Sequence, residues 1–285
     1  EEEIGGAVEI VTDYEIAVRE GGPFGYDVAK VSTDRERVPL VAVQDVHVGS
    51  GTFFRRHFEE LVKYISDTGA LWFYNGDGID NGTKSAPGAA VMDQDMTPNQ
   101  QKRYLFKHLS PIAGQCVGLS EGNHEGRTKK ESQYDIVMEL ADDLGAHYFG
   151  YEIYFVVSRR DKQNGGTAYT VYANHSASAH KNAGAGANYM SNNWMPWLEN
   201  VDIFCKGHDH NVGLLPVGSV YFDTSNVVAR DRVRWLWMPG SFLGRNGRNY
   251  AAKKPYAPQP RMYYSLMLDM RKGYKRVDEV KHYLD

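Results

Sequence analysis

Short apolar runs recur through the first two thirds of this chain, and each ends in a polar stretch. VPLVAV (38–43), LWFYN (71–75), QCVGLS (115–120) and VDIFCK (201–206) have the length and unbroken apolar character of strands buried on both faces. YEIYFVVS (151–158) and TAYTVYA (167–173) read as two strands joined by the polar turn DKQNGG. Between these runs the period changes. Phe54, Phe58, Leu61 and Ile65 have helical spacing in residues 53–69, with Gly69 as the stop. Thr97 to Leu109 predicts a helix with Thr97 as N-cap and Pro98 in its first turn. Residues 132–145 predict a helix closed by Gly145, and NYMSNNWMPWLEN (188–200) predicts another. AVEIVTDYEIAVR (7–19) alternates enough for an N-terminal strand or hairpin. After residue 212 strand-like pieces (GSVYFDTS, RVRWLWM, RMYYSLMLDM) alternate with Gly/Pro/Arg-rich loops, with no repeat of fixed period. Strand–helix units followed by strands predict an α/β layered fold. In such sheets ligands bind at the carboxyl ends of the strands.

Composition sharpens this modestly. With 285 residues, 42% of them hydrophobic, the chain buries a sizeable core as one large domain or one domain plus an appendage. No apolar run approaches the ~20 residues of a membrane span. The opening EEEIGG lacks the apolar segment of a signal peptide, so the expected location is cytoplasmic. Cys116 and Cys205 both fall in apolar runs and read as buried free thiols; with no CxxC, cysteine-bound zinc is not expected. The net charge of −4 hides an asymmetry. Residues 230–285 hold 13 Lys/Arg against 5 Asp/Glu, a balance of +8, which leaves −12 for the rest. A basic segment fits an anionic partner or a solvated surface equally well.

The chemistry lies at the strand ends. Asp45 and His47, Asp77, Asn123 and His124, His175, and His208 and His210 each follow an apolar run directly, and they include five of the ten histidines. Carboxylates, imidazoles and one amide suit Mn, Fe or Zn better than Cu(I). Two such ions ~3.5–4 Å apart form a clamp for in-line displacement at phosphorus.

The constellation resembles the calcineurin-like metallophosphoesterases, whose pattern is DxH…GDxxD…GNH(E/D)…H…GHxH. Here it stands as Asp45-Val-His47, Gly76-Asp77-Gly-Ile-Asp80, Gly122-Asn123-His124-Glu125, His175 and Gly207-His208-Asp-His210, in that order. The general look of the chain is also similar, diffusely, to phage-type and DNA-repair-exonuclease-like members. The resemblance implies a four-layer α/β/β/α sandwich of two mixed β-sheets flanked by helices. Residues 1–285 then form a single metallophosphoesterase domain, with 1–36 as an N-terminal extension or hairpin. Residues 213–285 would complete the second sheet and supply substrate loops. It also implies two divalent metal ions, Mn foremost, with Fe, Zn or Ni as alternatives. One ion takes Asp45, His47, His210 and a shared Asp77; the other takes Asp77, Asn123, His175 and His208. A metal-bridging hydroxide attacks phosphorus, and a protonated His124 stabilises the developing charge or protonates the leaving oxygen. Asp80 joins His124 on the catalytic side; with Glu125 it orients ligand histidines or loop amides. Gly122 and Gly126 are expected to ease the turn that aims Asn123 and His124. The chain departs from the pattern at Ser176, where the family often has Gly after the histidine; this residue is expected at the metal rim or on substrate.

Loops decide the substrate. The implied reaction is hydrolysis of a phosphodiester, with DNA or RNA as partner and no membrane. Candidate substrate contacts are Arg127, His180, Asn188, Arg245 and Arg248. The alternatives are a small-molecule phosphodiesterase (cyclic nucleotide or nucleotide sugar) and a phosphomonoesterase or protein phosphatase. Asn81 stands where the protein phosphatases have Arg, which weighs against that last reading. A metal-free scaffold is disfavoured because every ligand position is filled. Lys129 and Lys130 read either as phosphate contacts or as the start of a solvated helix. Trp194, Trp197, Trp235 and Trp237 read as core, and His57, His108 and His147 as surface or structural residues.

Overall fold

The computed structural model describes residues 13–84, 86, 94–160, 167–176, 178–223, 226–244, 260–271 and 275–284, without the side chain of Phe24. Their strands are β1 (Tyr14–Arg19), β2 (Val28–Thr33), β3 (Arg37–Val43), β4 (Leu71–Asn75), β5 (Cys116–Ser120), β6 (Glu152–Arg159), β7 (Ala168–Asn174), β8 (Ile203–Lys206), β9 (Val212–Asp223), β10 (Val228–Pro239), β11 (Met262–Asp269) and β12 (Arg276–Tyr283). The helices are α1 (Arg55–Thr68), α2 (Pro98–Leu109), α3 (Glu125–Ser132), α4 (Ile136–Leu144) and α5 (Ala183–Asn193).

Two mixed sheets form, in strand order β1-β2-β6-β7-β8-β10-β9 and β12-β11-β3-β4-β5. Within them β3-β4-β5 and β7-β8-β10 are parallel runs. The apolar strands earn their burial between the sheets: Leu40, Ala42, Leu71 and Phe73 of one sheet pack with Phe155, Val171, Ile203 and Trp237 of the other. On the outer face of the five-stranded sheet, Val41, Val43 and Trp72 pack against Phe58, Leu61 and Ile65 of α1, Leu105 of α2 and Leu140 of α4. On the outer face of the seven-stranded sheet, Tyr172 and Phe204 pack against Ala187 and Met190 of α5. These are the four layers α/β/β/α.

Local chemistry sets the helix ends. Thr97 and Gln100 form a reciprocal capping box ahead of α2. Gly69 closes α1 in the left-handed region (φ 61°), returning its N–H to the Ile65 carbonyl.

Four expectations need correction. The N-terminal hairpin β1–β2 is no appendage, because β2 pairs in parallel with β6 inside the larger sheet. The last third does not complete one sheet: β9 and β10 extend the seven-stranded sheet, whereas β11 and β12 extend the five-stranded one beside β3. The helix expected over 188–200 spans Ala183–Asn193 instead, because the Asn182 side chain caps the Ala185 N–H at its start. The glycines serve packing there, since a Cβ on Gly186 would lie 2.7 Å from Asp209 Oδ2. Finally, Trp194, Trp235 and Trp237 are core but Trp197 is exposed. Cys116 and Cys205 are buried and free. Among the described residues no helix is long and apolar enough to cross a membrane.

Candidate metal centre

Asp45 and His47 follow β3, Asp77 follows β4, and His124 follows β5. His175 follows β7, and His208 and His210 follow β8. Adjacent parallel strands of two facing sheets thus deliver all of them to one place. The connecting backbones zip together: Asp45 N–H donates to the Gly76 carbonyl, His47 N–H to Asp77 and Asp80 N–H to Val48.

Backbone strain concentrates here. Asp45, His47, Asp77, His208 and His210 all have φ between 49° and 69°. A non-glycine residue in this region costs roughly 1–2 kcal/mol, and such strain persists where the surroundings hold it for function. The motif glycines give the room. A Cβ on Gly76 would meet Gly122 Cα at 2.5 Å, one on Gly122 would meet Asp77 Oδ1 at 2.3 Å, and one on Gly207 would meet His175 Nδ1 at 2.5 Å. Gly126 carries no such constraint; it lies inside α3, where an added Cβ would find its nearest neighbour at 3.9 Å.

The side chains fall into two main groups of mutually close ligand atoms, Asp45/His47/His210 and Asp77/His175/His208. His47 Nε2 and His210 Nε2 are 3.1 Å apart. Asp45 Oδ1 lies 3.3 Å from His210 Nε2 and 3.9 Å from both His47 Nε2 and His175 Nε2. Asp77 Oδ2 lies 3.0 Å from His175 Nε2. Both of those atoms are buried without a hydrogen-bond partner, as is His47 Nδ1. Buried polar atoms without partners are costly, and atoms this close that point at one another without bonding converge as ligands do.

Electrostatics agree. Burial works against ionising Asp45 and Asp77, but neighbouring imidazoles outweigh it and hold both carboxyls below their usual range. Burial likewise opposes charge on His175, yet Asp77 and Asp45 lift its pKa to about 10. The carboxylates demand a positive charge, and the nearest imidazole answers it. The His175 tautomer is fixed for ligation: Nδ1 donates to the Asn75 carbonyl at 2.7 Å, leaving Nε2 toward Asp77. Oxygen and imidazole donors at these separations fit divalent Mn, Fe or Zn.

His124 differs from the others. Its Nδ1 donates to the Asp80 carbonyl at 2.7 Å, and its Nε2 lies 3.7 Å from Asp77 Oδ2. Burial pushes its pKa down to about 3, which favours the neutral imidazole. Asp80 steadies the ring through that carbonyl, and its carboxylate lies 3.5 Å from His47 Nδ1. Glu125 is a clamp: its buried carboxylate accepts from Tyr74 Oη (2.6 Å), Asp77 N (2.9 Å), Gly78 N (2.9 Å) and Gly122 N (3.1 Å).

The remaining candidates scatter. Asn123 is exposed, in the turn directly before α3. Ser176 Oγ accepts from Ser178 N at 3.2 Å, and its φ of 68° is the reason glycine suits this position. Arg127 Nη1 donates to the Asp80 carbonyl (3.0 Å), the acceptor that His124 also uses, and to the Asn81 carbonyl (3.3 Å). Lys129 is engaged by Glu121 and Asp135. His180 pairs with Asp209 at 3.2 Å, and Asn188 bonds Asn192 along α5. Arg245 and Arg248 lie outside the described residues. Much of the basic C-terminal stretch is paired: Arg232 and Lys275 with Asp202, Arg230 with Asp223, Arg271 with Asp269 and Arg276 with Asp278. His57 contacts Phe54, His108 lies near Glu59 and His147 bonds Asp27.

Sequence reasoning missed Gln44, Asn75, Lys206 and Asp209, all buried around the ligands. The available signal was position: each is a polar residue flanking a motif at the end of an apolar run.

No family profile matches the chain, and no curated protein matches it. Among solved structures it is similar to YfcE, a phosphoesterase from E. coli, at 15% identity over 85% of this chain and 98% of that one, with a TM-score of 0.38. It is similar to vacuolar protein sorting 29 from Cryptosporidium parvum at 12% identity over 87% and 100%, with a TM-score of 0.39. A third likeness is to GAP50, the anchor in the inner membrane complex of Plasmodium, at 10% identity over 87% and 85%, with a TM-score of 0.43. The chain resembles the calcineurin-like metallophosphoesterases in the order of its motifs.

Proposed function

We propose that this chain is a metal-dependent phosphoester hydrolase that acts on phosphodiesters through two divalent ions. The observation that carries the reading is the pair of ligand groups Asp45/His47/His210 and Asp77/His175/His208, brought together by strands of both sheets. Asp45 Oδ1 approaches imidazoles of both groups, and Asp77 touches one group while lying close to His47 and His124. Asn123 completes the second set by its place in the motif. Ions bound there supply Lewis-acid charge and an activated water at neutral pH.

The chain's own residues do the rest. His124 is held by the Asp80 carbonyl with Nε2 free of any hydrogen bond to Asp77 at 3.7 Å. Its Nε2 would take up a proton from solvent as an anionic phosphate arrives beside it and pass that proton to the leaving oxygen. Arg127 shares the Asp80 carbonyl with His124 and so brings a fixed guanidinium to the same loop. Asn81 is fully buried, its amide donating to the His124 carbonyl at 2.6 Å. An arginine has no space there, which favours a diester over a protein-phosphatase substrate.

The test is a rate comparison after chelation and addition of Mn²⁺. The substrates are an aryl phosphodiester, the matching monoester, and labelled single- and double-stranded DNA. Metal-dependent diester cleavage supports the reading, and DNA degradation extends it to a nuclease. Faster monoester turnover, or diester cleavage indifferent to metal, overturns it.

A further inference from the structure

Beneath the ligands lies a buried polar chain that the metal chemistry does not itself use. Gln44 follows β3 and Asn75 ends β4; they are 1% and 0% exposed. Gln44 Nε2 donates to Asp45 Oδ2 at 3.0 Å and, across the sheet seam, to the Lys206 carbonyl of β8 at 3.2 Å. Its Oε1 accepts from Asn75 Nδ2 at 2.8 Å and from the Cys205 thiol at 3.7 Å. Both donors and both acceptor positions of the amide are therefore used. The orientation is forced, because a carboxylate and a carbonyl only accept. Asn75 continues the chain: its Oδ1 accepts from Ser120 Oγ at 3.3 Å, and its carbonyl accepts from His175 Nδ1 at 2.7 Å.

We propose that Gln44 and Asn75 are positioning residues, an amide pair that holds Asp45 and His175, one ligand of each ion, at a set separation across the seam between the sheets. Gln44 shares Asp45 Oδ2 with the His208 N–H (3.1 Å), which also reaches Oδ1 (3.2 Å), and Oδ1 is the oxygen that approaches His47, His175 and His210. Asn75 fixes the His175 tautomer through its backbone carbonyl, and its side-chain amide ties that strand end to Gln44. The two amides are bonded to each other, so a shift of one ligand is passed to the other. A fully satisfied buried network of this kind is rigid, and partners behind metal ligands govern affinity. The inference rests on the two-ion reading above.

The experiment is calorimetric titration of the metal-free full chain with Mn²⁺, run beside thermal unfolding without metal. Gln44→Met keeps the length and removes every hydrogen bond; its Mn²⁺ affinity should fall about 10–100-fold. Phe155→Leu, in the core between the sheets, serves as control and should lower the melting temperature while leaving affinity unchanged. Wild-type affinity in folded Gln44→Met overturns the proposal. So does an equal affinity loss in Phe155→Leu at a matched drop in melting temperature, since the effect would then be general loosening. If Gln44→Met does not fold, Gln44→Ser gives the same readout, because it removes the amide's contacts to Asp45, Lys206 and Asn75 without adding charge. A wild-type chain that takes up no Mn²⁺ defeats the two-ion reading instead.

Discussion

His47 Nε2 and His210 Nε2 lie 3.1 Å apart, although 163 residues and two different sheets separate them. Two imidazole nitrogens approach so closely only by sharing a proton or a cation. Asp45 Oδ1, 3.3 Å from His210 Nε2, favours the positive charge. Replacing His210 by Ala removes one corner of this group and leaves Asp77, His175 and His208 in place. The expected outcome is loss of one ion per chain, measured by elemental analysis after dialysis; retention of both would place His210 outside the ligands.

Asp77→Asn should cost more than one ion. Asp77 Oδ2 lies 3.0 Å from His175 Nε2, Oδ1 accepts the His124 N–H at 2.8 Å, and the residue groups with His47 as well. Metal content after dialysis should fall at both sites together. Loss of a single ion would argue against a shared Asp77.

His124→Ala separates chemistry from binding. The ring is held by the Asp80 carbonyl and also groups with His47 and Asp77, so metal content decides between acid and ligand. Turnover of a diester should fall about 10²–10⁴-fold, the range of a general acid, with metal content unchanged. Simultaneous loss of metal would make His124 a ligand.

Much of this was legible in the sequence, for identifiable reasons. VPLVAV and LWFYN are interior strands and QCVGLS is an edge strand, but all three are buried on both faces, which leaves no ambiguity of period. The Thr97–Gln100 capping box announces itself through four adjacent residues. The carboxylates and imidazoles that gather were readable because each motif sits directly behind a strand. Other features depend on tertiary contact. Nothing in AGAGANYM signals a helix until Asp209 and Met238 are seen packed against Gly186. The left-handed φ of five ligand residues is imposed by neighbouring strand ends, not by local propensity. The charge of His124 depends on burial that a motif cannot show. Gln44 and Asn75 read as loop residues until the second sheet supplies Lys206 and His175.

Glu125→Gln should destabilise the fold before any metal is considered. Its carboxylate receives a hydroxyl and several backbone N–H groups from the loops after β4 and β5. An amide there turns N–H toward N–H. Hydrogen bonds to a charged group contribute ~1.5–3 kcal/mol each, so a loss of about 3 kcal/mol is expected. Urea unfolding of the metal-free chain measures it, and a change within error would contradict the clamp.

His282 gives a pH signature remote from the metals. It bonds Ser265 at 2.8 Å and packs on the Tyr64 ring, and burial pushes its pKa down to about 4. The unfolded chain binds that proton near pH ~6.5. Between those values the unfolded state holds more protons than the native one, so stability falls as pH falls. His282→Gln should flatten the melting-temperature profile over this window. An unchanged slope would assign the acid sensitivity elsewhere.

The account turns on where metal binds. Crystals soaked in Mn²⁺ and measured at the manganese absorption edge give the answer directly. Two anomalous peaks are expected, one among Asp45, His47 and His210 and one among Asp77, His175 and His208. A single peak, or peaks away from these residues, would contradict the two-ion centre and the phosphodiester hydrolysis built on it.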